Sequence, residues 1–171
     1  MSATFPSLTV PVTSRDRAIT ANLGAVGATF FLDGEHTAGR VAVLEHPFIP
    51  KGLAAPMHTH TREDEFSYIL EGEFGFQLGD QVVYGHPGDL VYKPRNVPHT
   101  FWNNTDQPAR LLEIITPSGF EKFFRELAEL LASGRMSDDE FARLREKYGL
   151  AMDFASVPLL TARHGLVAKI G

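Results

Sequence analysis

His58-Thr59-His60, with Glu65 close behind, is the part of the sequence whose residue types and spacing point most directly to chemistry. The tripeptide lies in a stretch that reads as extended, where residues i and i+2 leave the same face, roughly 6 to 7 Å apart along the strand. Two imidazoles can then converge on one ion. Glu65 heads the next aromatic run, Phe66-Ser67-Tyr68-Ile69-Leu70, across the polar turn 61–64, and a hairpin there returns its carboxylate to the imidazoles. Two His and one carboxylate form the ligand type that holds a divalent transition metal on nitrogen and oxygen. The chain has no Cys, which excludes thiolate nucleophiles, iron–sulfur clusters and Cys-ligated zinc and leaves Fe, Mn, Ni, Co or Zn. Glu63 and Asp64 are read as solvated turn residues. His36, His46, His86 and His164, beside turn residues or in the tail, are read as surface groups. Glu113, between apolar neighbours, faces the cavity, its rim or a helix.

The wider spacing carries a resemblance. Gly52, His58, His60, Glu65 and Gly72 fall at the defining positions of the first cupin motif, and Gly88, Pro94, His99 and Asn103 at those of the second. Asn96 departs from the pattern, standing where the family has Gly; Asn is among the residues that best tolerate φ > 0. The resemblance covers about residues 40–116. It implies an all-β fold, a double-stranded β-helix or jelly-roll barrel, in which His58, His60, Glu65 and His99 bind one divalent metal and leave one or two positions open. The stretch Thr116-Pro117-Ser118-Gly119-Phe120-Glu121 before a Phe-rich segment is similar to quercetin 2,3-dioxygenase-like cupins. That similarity implies dioxygen as co-substrate, a flavonol-like enolic or phenolic substrate, and Glu65 as the catalytic base that takes its hydroxyl proton.

The elements that must position these residues follow from turn chemistry. Between about 24 and 116, short β-branched and aromatic runs are separated by Gly, Pro, Asn and Asp clusters. Strands are expected at 25–32, 40–46, 56–61, 65–71, 73–78, 81–84, 89–93, 99–103 and 109–115. After Pro117 the apolar period changes to three and four through Phe120, Phe123, Phe124, Leu127, Leu130 and Leu131, one face of a helix. Ser118 with Glu121 is its expected capping box, and a second helix runs from Ser137 to Gly149. One domain is expected over 1–171, a barrel of about 24–116 followed by an α-helical extension and tail of about 117–171. Val157-Pro158-Leu159-Leu160 reads as a further edge segment.

A substrate pocket is expected from Met57, Phe76, Phe101 and Ile114, with Phe66 and Trp102 nearby; by alternation from His99, Phe101 points inward and Trp102 outward. Such walls suit a small apolar or aromatic molecule. The net charge of −5, with no Lys/Arg cluster, offers no footprint for nucleic acid or an anionic membrane. The longest apolar run, Leu23 to Leu32, is far short of the roughly 20 residues that span a bilayer, and the N-terminus lacks the pattern of a secretory signal. A cytoplasmic protein is expected, with neither nucleic acid nor membrane as partner. The arm 1–23 is expected to pair with a neighbour's exposed sheet edge, giving a homodimer. The function expected is metal-dependent dioxygenation of an enolic or phenolic compound. Non-oxidative metal catalysis (isomerase, lyase or decarboxylase) and ligand binding without turnover stay open as alternatives.

Overall fold

The computed structural model of the chain describes residues 13–169. Among the described residues eleven strands form two facing antiparallel sheets. The first holds β1 (Thr20–Asn22), β2 (Gly27–Leu32), β3 (Ala42–Phe48), β5 (Asp64–Glu71), β8 (Leu90–Lys93) and β10 (Ala109–Thr116), in the order β1-β2-β3-β10-β5-β8. The second holds β4 (Met57–His60), β6 (Phe74–Leu78), β7 (Gln81–Gly85), β9 (His99–Asn103) and β11 (Leu150–Asp153), in the order β11-β4-β9-β6-β7. This is a mostly-β jelly roll, and the nine expected strands all form within two residues of their expected ends.

Alternation sets which residues meet between the sheets. In β10, Leu111, Glu113 and Ile115 are buried while Arg110, Leu112, Ile114 and Thr116 are half-buried on the other face. Registers such as Leu112 opposite Glu45 and Tyr68 lock that choice across three strands, because a one-residue slip would turn Glu113's neighbours outward. The interior is aromatic: Phe48, Phe74, Phe76 and Phe101 pack with ring centroids 5.1 to 6.3 Å apart. A second apolar cluster of Leu53, Trp102, Leu160 and Leu166 lies on the outer face of β9. Gly75 is the cross-strand neighbour of Trp102, and any Cβ there would overlap the indole.

The extension closes over the barrel. Phe120, Phe123 and Leu127 of the α1 segment (helix Glu121–Ala132) are buried in the main core. The expected capping box does not form there. Glu121 is buried, and its carboxylate accepts from the backbone N–H groups of Gly34 and Gly119 instead of that of Ser118, so it ties α1 to the β2–β3 connection. In α2 (Asp138–Lys147), Ser137 does cap, accepting from Glu140 N, and Gly149 follows with φ +64°. Asn96 has φ +63°, the left-handed turn expected for it.

Three elements depart from expectation. Val157–Leu160 is helical, inside α3 (Ser156–His164). Pro158 sits in the first turn of α3, where an absent N–H costs nothing, so it could not mark an edge strand. β11 pairs with β4, opposite His58 and His60. Within the arm 1–23, residues 1–12 lie outside the described residues, and Thr20–Asn22 forms β1, paired with β2.

Candidate metal centre

His58 and His60 leave the inner face of β4, as the i, i+2 spacing requires, and His99 of β9 is the direct cross-strand partner of His58. The three rings lie 4.4 to 5.4 Å apart between centroids. Glu65 reaches them from β5 on the facing sheet, with Oε1 3.5 Å from His60 Nε2 and Oε2 3.4 Å from His99 Nε2. All four side chains are buried, and one donor atom from each lies within 4.8 Å of the others.

Hydrogen bonds decide what these rings present. His58 Nδ1 donates to the Pro56 carbonyl at 2.8 Å and His99 Nδ1 to the Val97 carbonyl at 3.0 Å. A carbonyl only accepts, so both rings carry their proton on Nδ1 and aim an Nε2 lone pair inward. His99 Nε2 therefore does not donate to Glu65 despite the short approach, and it has no other partner among the described residues. Burial, with His99 and His60 beside it, holds His58 well below the usual imidazole range. Burial lowers His60 to about 4 against the pull of Glu65. Lone pairs turned toward a buried carboxylate repel one another; a cation among them makes every contact attractive. The N3O donor set thus fits a divalent metal ion.

Behind Glu65 lies a network that sequence reasoning missed. Lys93 is fully buried, its Nζ 2.9 Å from Glu65 Oε2 and 2.9 Å from Glu113 Oε2, and 4.0 Å from the Phe101 ring centroid. Ser67 Oγ donates to the same Glu113 oxygen at 2.9 Å. Burial would raise the Glu65 carboxyl, but His60 and Lys93 hold it well below its usual value. Burial would lower Lys93, yet Glu113 and Glu65 keep it above its ordinary range. Glu113 itself is pushed by burial up to about 7 against the pull of Lys93. One signal was available: a Glu alternating with Leu111 and Ile115 on a core strand needs a buried cation as partner.

Above the cluster is an apolar cavity of about 110 Å³, lined by Phe101, Phe120, Phe124, Leu150, Met152 and His46 among others, with His58, His60 and Glu65 on its floor. Phe101 is the expected pocket residue that lines it. Phe76 lies one layer behind, stacked on Phe101 at 5.8 Å. Met57 and Ile114 do not reach the cavity, because each neighbours an inward residue, His58 or Glu113, and so takes the opposite face of its strand. Phe66 likewise turns out, onto Tyr92. Trp102 points away from the cavity as expected, but it is fully buried beneath α3.

The surface readings need correction at four positions. His46 is buried in β3 and lines the cavity. His164 is half-buried, stacked on Trp102 at 4.4 Å. Glu63 is only 5% exposed, with burial pushing its carboxyl up to about 7. Asp64 is paired with Arg95, Oδ2 to Nη2 2.6 Å. His36 and His86 are exposed, as expected.

Residues 47–115 match the family model described as a cupin domain. The chain is 30% identical over 80 residues to quercetin 2,3-dioxygenase of Bacillus subtilis (strain 168), a match covering 47% of this chain and 23% of that protein. It spans 55% of a second curated relative. Among solved structures it resembles a sugar phosphate isomerase of the cupin superfamily from Silicibacter pomeroyi (TM-score 0.54, 21% identity, 62% of this chain and 75% of that one). It also resembles a predicted oxalate decarboxylase from Thermotoga maritima (TM-score 0.59, 19% identity, 63% and 99%). These two likenesses show the fold alone. With the family model matched over residues 47–115 and the jelly roll built around them, this part of the chain is a cupin domain.

Proposed function

We propose that the protein is a metal-dependent dioxygenase of a small enolic or phenolic molecule. One observation carries the reading: three imidazoles and one carboxylate meet in a buried cluster, of which His58, His60 and Glu65 form the floor of a largely apolar cavity. His58, His60, Glu65 and His99 would hold the ion, which in such a site polarises a bound oxygen and, if redox-active, supports reaction with dioxygen. Oxidative C–C bond cleavage of an enediol or catechol places both oxygen atoms in the product and takes all four electrons from the substrate, so it needs no external reductant. Glu65, kept ionised by Lys93, is the carboxylate placed to take the hydroxyl proton of an enol or phenol. Phe101, Phe120 and Phe124 exclude water and offer faces to a flat substrate.

Size narrows the class. A cavity of about 110 Å³ is smaller than the roughly 150 Å³ space that takes up one benzene. A short enediol suits it as it stands, a single-ring phenol requires the wall formed by Phe141, Met152 and Phe154 to give slightly, and a three-ring flavonol requires that wall to move well outward. The partial likeness to quercetin 2,3-dioxygenase supports the oxygenase reading. The fold-level likeness to proteins described as an isomerase and a decarboxylase keeps non-oxidative metal catalysis as the second reading.

The test begins with elemental analysis of freshly purified protein and of His60→Ala. An oxygen electrode then follows catechols, enediols and flavonols with protein carrying Fe, Mn, Ni or Co. Metal-dependent oxygen uptake is expected, and its loss in His60→Ala. Unchanged metal in the variant contradicts the centre, whereas turnover of a substrate without oxygen by zinc-loaded protein moves the reading to isomerase or lyase chemistry.

A further inference from the structure

Apart from the floor cluster, the cavity wall is apolar with one buried exception. His46 is 3% exposed and lies among Phe48, Phe101 and Phe124, with ring centroids at 6.5, 6.3 and 5.1 Å. It is inward because β3 alternates Leu44, His46 and Phe48 toward the core. Its Nδ1 lies 2.7 Å from the Gly27 carbonyl, which can only accept, so the ring proton sits on Nδ1 and Nε2 carries a lone pair. Among the described residues nothing donates to that lone pair, and Nε2 is not one of the unpartnered atoms sealed from solvent, so it stays open to the cavity. An acceptor at a cavity wall is the partner that a ligand's donor needs.

We infer that His46 is a specificity-determining residue that accepts a hydrogen bond from a neutral donor, a hydroxyl or N–H, on the far side of the ligand from the metal centre. Burial holds the ring down at about 4, so it stays neutral, and an acceptor, at physiological pH. The same geometry selects against anions. A carboxylate or phosphate at this wall would face the lone pair. Lys93 stands between two carboxylates behind Phe101, and Lys169, which also lines the cavity, is solvent-exposed. The substrate class is therefore an uncharged ring or enediol with two polar ends: one oxygen for the metal floor and one donor for His46.

The inference rests on the cavity being the ligand site proposed above, but on no turnover. Its test is anaerobic calorimetric titration of zinc-loaded protein with catechol, pyrogallol and 1,2,4-benzenetriol, in the unsubstituted chain and in His46→Phe, which keeps the aromatic volume and removes the acceptor. At least one triol is expected to bind about three- to tenfold more tightly than catechol, the worth of one hydrogen bond, and in His46→Phe the advantage disappears. A triol preference that survives in the variant, or no preference in the unsubstituted protein, overturns the inference and leaves the metal-centred reading standing. Failure of catechol itself to bind overturns that reading and the inference together. Nitrogen-15 spectra of the unsubstituted protein make the test independent of how the variant folds: the His46 Nε2 resonance must move with the triol and stay in place with catechol.

Discussion

β9 is buried on both faces, for opposite reasons. On the inner face His99 joins the metal cluster and Phe101 looks into the cavity above it, where lone pairs, a carboxylate and a buried ammonium are held within a few ångströms. On the outer face Thr100 donates to the Ala55 carbonyl, and Trp102 fills the space between Gly75, His164, Leu53, Leu160 and Leu166. Outer burial is packing, and it stabilises whether or not anything is bound. Inner burial sets charges and lone pairs against one another, an arrangement that costs free energy in the apo state and is relieved by a cation and a ligand. The two sides of one strand thus separate what folds the protein from what it is folded for.

The sharpest way to break that contrast is to empty each side in turn. Lys93→Met leaves Glu65 and Glu113 buried without their shared cation, and breaking a buried pair of this kind costs about 5 kcal/mol at the upper end. The loss is expected to be larger at pH 8 than at pH 6, because without the ammonium Glu113 rises further, Glu65 loses one of the charges that hold it down, and buried carboxylates are neutralised as pH falls. Denaturant titration at the two pH values checks this, and a Lys93→Met/Glu113→Gln double variant should recover much of the loss. Trp102→Ala removes about 4 kcal/mol by leaving a large cavity, yet metal content per folded molecule should not change. A Trp102 variant that folds but loses its metal would show that the outer face also shapes the centre.

This contrast also explains what could be read from the sequence. The nine strands were legible because Gly, Pro, Asn and Asp mark their ends, and the His-x-His pair because an i, i+2 spacing has only one geometric meaning in a strand. Lys93 was not legible as a partner of Glu65 and Glu113, since the three lie on β8, β5 and β10 and meet only through registers such as Glu65 opposite Lys93. Met57 and Ile114 were misplaced by proximity in sequence to inward residues, which in a strand guarantees the opposite face. β11 and α3 carry no side-chain cap or turn signature strong enough to announce them; α3 begins at Ala155 without a capping side chain. The cavity wall they build, Leu150, Met152 and Val157, was accordingly out of reach.

A smaller effect sharpens the inner side further. The usual imidazole value is near 6.5 and His46 is lowered to about 4, so its burial contributes stability that is fully present above pH 6.5 and is lost as pH falls toward 4. At 1.36 kcal/mol per unit this single ring accounts for about 3 kcal/mol of acid sensitivity. The metal-free protein should lose stability steeply below pH 6.5, since His58 and His60 share the direction. His46→Phe should remove its own share, seen as a shallower acid limb in urea midpoints from pH 7 to 4. A limb of unchanged slope would mean that the ring takes up its proton without leaving the core.

The smallest expected effect discriminates most finely. Ser67 Oγ donates to Glu113 Oε2, both residues are fully buried, and Glu113 Oε1 has no partner among the described residues. Deleting the hydroxyl costs about 1 kcal/mol when the acceptor is a neutral carboxyl and about 2 when it is charged. Glu113 sits at about 7, raised above the ordinary 4.5, so its native environment favours the protonated form and the stability this gives is lost as pH rises from 4.5 through 7. The cost of Ser67→Ala should therefore step upward across pH 7, the only one of these effects that grows toward alkaline pH through a hydrogen bond rather than a charge pair. A flat cost near the lower value would show Glu113 protonated throughout, with Lys93 belonging to Glu65 alone. A flat cost near the higher value would show Glu113 ionised throughout and the ammonium held equally by both carboxylates.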